Sequence, residues 1–245
     1  MNQIEEINLV KQMSELSLLS YESPVRITQR LHDRYSNFTF IEDKQTDTQC
    51  FLCEDEDYNY ITPRGTTSLE DWKTNIACGF VYTDYGTFHK GFYEACNSVY
   101  ERILCELDFN KGIIIQGHSL GGGIGGVCAY MLSQEYKLDA LVTFGSPRYC
   151  SSDTPKLNCL YNIRVVNNND IIVRLPPRVF GYKHQGKLYY FTEGGLLDFN
   201  ISLWEAFLYR MGGVIDGIME IELDSIADHP MAVYDGLFKD IIICA

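Results

Sequence analysis

The chain has 245 residues, is 46% hydrophobic and 13% aromatic, and carries a net charge of −13. That length and apolar content suffice for a packed core, and no stretch is rich enough in Pro, Ser or charge to read as a disordered linker, so residues 1–245 are read as one domain with an N-terminal helical segment over about 1–36. The acidic balance argues against nucleic acid or an anionic membrane as partner, because both would repel the chain at long range, and it leaves room for transient contact with a neutral lipid interface.

Residues 6–19 and 24–35 show helical patterns, the second opening with Ser23 as cap and Pro24 at the first helical position. Strands are expected at Phe38–Glu42, Thr48–Cys53 and Asn59–Thr62, with the acidic run Glu54–Asp57 as a solvated hairpin tip. Beyond them come a helix over 90–107, a strand over 112–116, a helix over 119–135, strands over 139–144 and 160–166, and a strand candidate starting at Gly186. Strands alternating with helices predict an α/β fold with a mainly parallel central sheet and helices on both faces. The charge-free stretch from Gly112 to Gln134 contains seven glycines together with Gln116, His118 and Ser119, and reads as strand, turn and buried helix rather than as a membrane span.

The most informative segment is Gly117-His118-Ser119-Leu120-Gly121, directly after Ile113-Ile114-Ile115 and before a helix-capable run. G-x-S-x-G between a buried strand and a helix is the nucleophile elbow, where the serine sits on a strained turn and glycines clear the space around it. A serine hydroxyl needs a base, and the base needs a third group to orient it. Of five histidines, His118 points away from its neighbour at the elbow, His32 sits on a charged helix, and His89 and His184 lie in loop-like stretches, His184 reading as structural. His229, late in the chain, fits the order nucleophile, carboxylate, base. Asp170, just beyond the strand ending at Val166, is the carboxylate candidate at the sheet edge where the serine emerges; Asp228 is poorer because adjacent side chains seldom fold back on each other. The oxyanion donors are the Leu120 N–H and, from the loop after Asn59–Thr62, Thr66.

These pieces together resemble the class 3 lipase family, the fungal triacylglycerol-lipase type of α/β-hydrolase. The matching segments are Arg64-Gly65-Thr66, Asp71-Trp72, His89-Lys90-Gly91-Phe92, Gly117 to Gly122, Thr143 to Arg148, Asn169 to Ile172 with Leu175-Pro176-Pro177, Gly181 to His184, and Asp228-His229. The resemblance implies Ser119, Asp170 and His229 as catalytic triad, Thr66 and Leu120 as oxyanion hole, and Gly117, His118, Gly121 and Asn75 as supporting positions. It implies hydrolysis of acylglycerols or related lipid esters through an acyl-enzyme, with no metal and no organic cofactor. Two departures stand out: Asn75 occupies a place where the family often carries aspartate, and nothing in the chain supports the secretion and disulfides of many members. The family's lid would fall in the short interval of about Asn75 to Phe88.

Nine cysteines, an odd number, and an acidic N-terminus unlike a signal peptide predict a reduced, cytoplasmic protein. Cys50-x-x-Cys53 lacks a second pair at ligand spacing, and residues three apart on a strand face opposite sides, which argues against a metal site. Trp204, Phe207, Leu208, Met211 and Ile215 form an apolar helical stripe that covers the sheet, with a role in an acyl pocket as the sharper alternative. Gly121 to Gly126 satisfies G-x-G-x-x-G, but the next acid, Asp139, falls at the start of the following strand instead of its end, against a dinucleotide site. The alternative of another class is a catalytically silent, lipase-like module that binds lipid or protein.

Overall fold

A computed structural model describes residues 3–65, 79–192, 195, 197–198 and 229–239. Helices α1 (Gln3–Leu19) and α2 (Pro24–Leu31) come first, then strands β1 (Ser36–Asp43), β2 (Thr48–Glu54) and β3 (Tyr58–Pro63). Next are β4 (Phe80–Thr83), β5 (Gly86–His89), α3 (Lys90–Glu106), β6 (Gly112–His118), α4 (Leu120–Leu132) and β7 (Leu138–Phe144). The remainder is β8 (Cys150–Ser151), β9 (Cys159–Asn167), β10 (Tyr182–Lys183), β11 (Lys187–Phe191), β12 (Leu197–Asp198) and α5 (Met231–Lys239).

Among the described residues, the main sheet runs β1-β2-β3-β6-β7-β9-β11-β12. Its middle is parallel, from β3 through β6, β7 and β9 to β11, while β1, β2 and β12 join antiparallel at the edges. The period of two explains the two cores. Ile113 and Ile115 on β6 pack with Phe92, Val99, Val127 and Leu132 of α3 and α4. Ile114 faces the other way, into a core with Met13 and Leu16 of α1, Ile27 of α2 and Tyr234 and Phe238 of α5. Covered on both faces, the central strands are apolar on both, hence the unbroken Ile-Ile-Ile. Cys50 and Cys53 fall one in each core, as residues three apart on a strand must.

The expected elements are present with ends shifted by a few residues; the second helix stops at Leu31, four residues early. A smaller antiparallel sheet, β10-β8-β5-β4, was not expected. It turns part of the interval before Phe88 into a hairpin and makes His89, expected in a loop, the last residue of β5 and the cap of α3. Strands of two to four residues carry too little alternation to show in sequence, and their pairing is decided by partners far along the chain, such as Phe88 with Cys150. Among the described residues, no helix is long and apolar enough to cross a membrane. The Trp204 stripe lies outside the described residues.

Candidate active site

Three consecutive parallel strands, β6, β7 and β9, end at one edge of the sheet, and the residues just beyond them build the site. After β6 comes Ser119, at φ 56° and ψ −129°, a conformation that L-residues rarely adopt. It is over-determined from both sides: the Ser119 N–H donates to Phe144 O at 2.9 Å, and Ser119 O accepts from the N–H of Gly122 and Gly123 in the first turn of α4. The turn is tight because its glycines leave space. A Cβ on Gly117 would stand 2.5 Å from Gly121 O, and one on Gly121 would collide with Pro63 O and come within 2.9 Å of the Arg64 carbonyl carbon. The glycine-rich start of α4 is thus a close-packing device between β6 and the end of β3.

After β9 the chain turns through Asn167–Asp170. Asp170 is fully buried, and both its oxygens are engaged: Oδ1 accepts the Ile172 N–H at 2.8 Å, and Oδ2 accepts His229 Nδ1 at 2.8 Å and the Tyr234 hydroxyl at 2.6 Å. Tyr234 in turn accepts the Asn167 N–H at 3.0 Å, so its hydroxyl hydrogen is committed to the carboxylate. Gly145, after β7, makes room for this pair. At φ 54° its absent Cβ would lie 2.6 Å from Asp170 Oδ2 and 3.1 Å from His229 Nδ1.

With Nδ1–H donated to Asp170, the neutral His229 ring presents Nε2 as an acceptor. His229 Nε2 and Ser119 Oγ are both buried, and neither has a hydrogen-bond partner among the described residues. A buried polar atom left unpaired is costly, and one role that keeps such an atom is to receive a reacting group. The arrangement can hold an imidazole in the tautomer that accepts a proton while a carboxylate stabilises the cation so formed.

The structure therefore brings Asp170 and His229 together and sets Ser119 on the elbow at the same sheet edge. Leu120 opens α4, where the first-turn amides lack intrahelical partners. Thr66, Asn75 and Asp228 lie outside the described residues. His118 is buried and bonded on both ring nitrogens, to the Tyr21 hydroxyl and to His229 O, each at 2.7 Å. His184 bonds Val173 O at 2.7 Å through Nε2, a loop contact. His89 accepts the Phe92 N–H at the start of α3. Sequence reasoning missed Tyr21, Tyr234 and Gly145. Tyr234 left a trace in the stripe Met231, Tyr234, Phe238 that turns α5 toward the sheet, and Gly145 lay in the matching segment Thr143 to Arg148 without a role assigned to it.

The model of the family described as lipase (class 3) matches residues 60–180. The secreted mono- and diacylglycerol lipase 1 of Fusarium solani is 31% identical over 176 residues, 66% of this chain and 50% of that protein. A lipase of Rhizomucor miehei is 34% identical over 155 residues, 55% of this chain and 42% of that protein. The chain thus spans half or less of the length of these relatives. A deletion mutant of the Rhizomucor miehei lipase propeptide complex superposes with a TM-score of 0.70 at 25% identity, covering 80% of this chain and 70% of that one.

The Fusarium solani protein, being secreted, overturns the cytoplasmic assignment. The cysteine argument behind that assignment fails for a physical reason. Cys50, Cys53, Cys96, Cys128 and Cys150 are free thiols buried in the core, and burial pushes Cys50 and Cys53 up and Cys150 up to about 12. Inert thiols of this kind do not report a redox compartment. With the elbow, the sheet order and these similarities in agreement, the chain belongs to the class 3 lipase family and has the α/β-hydrolase fold.

Proposed function

We propose that this protein is a serine carboxylic ester hydrolase that cleaves acylglycerols or related lipid esters through an acyl-enzyme. The observation that carries the reading is the Asp170–His229 pair at 2.8 Å, which leaves the imidazole's Nε2 as an unpaired, buried acceptor at the sheet edge of the strained Ser119. His229 Nε2 takes the Ser119 proton, and the Ser119 oxygen attacks the ester carbonyl carbon. The carbonyl π electrons move onto oxygen, and the Leu120 N–H and Thr66 hold that oxyanion. Asp170 stabilises the imidazolium, which gives its proton to the departing alcohol. Water then repeats the sequence and releases the fatty acid.

The names of the relatives support lipid esters as the substrate class, one acting on mono- and diacylglycerols. A silent binding module would lack a relay member, whereas the carboxylate and imidazole here are bonded to each other. The test is labelling by an active-site fluorophosphonate, with hydrolysis of p-nitrophenyl esters, triacylglycerols and phospholipids measured in parallel. Labelling and turnover should vanish in Ser119→Ala, a loss of about a million-fold in kcat by analogy with other serine hydrolases. Labelling that persists in Ser119→Ala, or a folded wild type inert to probe and panel alike, overturns the reading.

A further inference from the structure

The histidine inside the elbow has a task of its own. His118 is the last residue of β6, two pleats beyond Ile114, and so belongs to the sheet face covered by α1 and α5. Its ring lies 4.6 Å from the His229 ring, centroid to centroid, and 5.8 Å from both Tyr21 and Tyr234. Nε2 is 2.7 Å from the backbone oxygen of His229, and a carbonyl only accepts, so Nε2 carries the hydrogen. In the neutral ring Nδ1 is then an acceptor, filled by the Tyr21 hydroxyl at 2.7 Å from the turn after α1. One tautomer satisfies both contacts.

We infer that His118 is a positioning residue that clamps the backbone of His229, and that Tyr21 locks it in the Nε2–H tautomer the clamp requires. The inference rests on the hydrolase reading above. It deepens that reading by assigning the motif's variable position, next to the nucleophile, to control of the base. His229 is held at Nδ1 by Asp170 and at its own carbonyl by His118, one restraint on the ring and one on the main chain. A ring hinged only at Nδ1 could still swing its Nε2 away; the second restraint removes that freedom. Burial and the neighbouring His229 hold His118 well below the ordinary histidine range, which keeps its ring neutral while His229 cycles through its charged form.

The experiment compares His118→Leu, His118→Gln and Tyr21→Phe in the full chain, following kcat and KM on a soluble ester and the rate of fluorophosphonate labelling. A glutamine amide can donate from the place of Nε2; leucine cannot. Misplacing a catalytic group by about an ångström costs on the order of a hundredfold. His118→Leu should therefore lose about ten- to a hundredfold in kcat and labelling rate with KM little changed. His118→Gln should recover most of that loss, and Tyr21→Phe should fall between. Equal losses in the leucine and glutamine variants, or a folded His118→Leu protein with wild-type kcat, overturn the inference.

Nitrogen-15 NMR of the wild-type imidazoles gives a reading independent of activity and of the variants' folding. His118 should show an Nε2–H, Nδ1-acceptor pattern unchanged between about pH 5 and pH 8. An Nδ1–H pattern there overturns the clamp. A wild type that resists the fluorophosphonate while showing the expected pattern ends the hydrolase reading instead.

Discussion

The two halves of this site are built by opposite means. The serine is held by local backbone: a positive φ, a bond to Phe144 O, and neighbours reduced to glycine within five residues. The acid and base are held by side chains from distant segments. His229 lies 59 residues from Asp170, Tyr234 meets Asp170 across 64, and His118 grips the His229 carbonyl across 111. A strained backbone stays in place only while its packing does, whereas a hydrogen-bonded relay can be loosened one contact at a time. The nucleophile half should therefore respond to mutation all at once, and the base half in steps.

The largest step is Asp170→Asn. The amide keeps the shape of the carboxylate but neither fixes the Nδ1–H tautomer of His229 nor stabilises its cation, and in a comparable relay that change costs about 10⁴-fold in kcat. The elbow is untouched, so Ser119 should keep its geometry. The expected result is collapsed turnover with a native near-ultraviolet spectrum; turnover within tenfold of wild type would remove Asp170 from the relay. A smaller step is Tyr234→Phe, which deletes one of three hydrogen bonds to the carboxylate and leaves the Asn167 N–H without its acceptor. A hydrogen bond to a charged group is worth about 1.5–3 kcal/mol, so the melting temperature should fall. Activity should fall about tenfold, well short of the Asp170 effect, since His229 keeps its partner. Equal effects from the two substitutions would mean that the base half also behaves as a single unit.

The same contrast decides what could be read before the structure. The elbow was legible because its determinants sit side by side: an apolar run, G-x-S-x-G, and a small-residue helix. Asp170 and His229 were legible by chain order rather than by contact, since each follows the elbow in the sequence that such relays share. Tyr21 and Gly145 were not, because nothing around Tyr21 signals a partner 97 residues away and a lone glycine after a strand has many explanations. The central sheet followed from alternating strands and helices, whereas the β10-β8-β5-β4 sheet did not, being made of fragments whose pairing is purely tertiary. The compartment was misjudged for a related reason. A cysteine count carries no information on burial, and burial is what silences these thiols.

The smallest predicted effect on activity belongs to His89, which acts on stability alone and separates acid loss of fold from acid loss of chemistry. His89 is 3% exposed, ending β5 and capping α3 between the rings of Phe92 and Tyr182, and burial pushes it down to about 4 from an ordinary 6.5. Between those values the unfolded chain holds a proton at this site and the folded chain does not. The contribution of this site to stability is therefore fully present above about pH 6.5 and is lost as pH drops toward 4, by about 3 kcal/mol at most. His118, also held below its ordinary range, contributes a slope of the same sign. In His89→Asn the amide oxygen still accepts the Phe92 N–H, as asparagine does at helix caps, but nothing titrates there. Urea unfolding between pH 7.5 and 4.5 should show a shallower loss in the variant. The acid limb of kcat/KM, which reports the free enzyme's base, should stay where it is in wild type. If that limb moves with the stability curve, the acid loss of activity is unfolding near α3 and not protonation of His229.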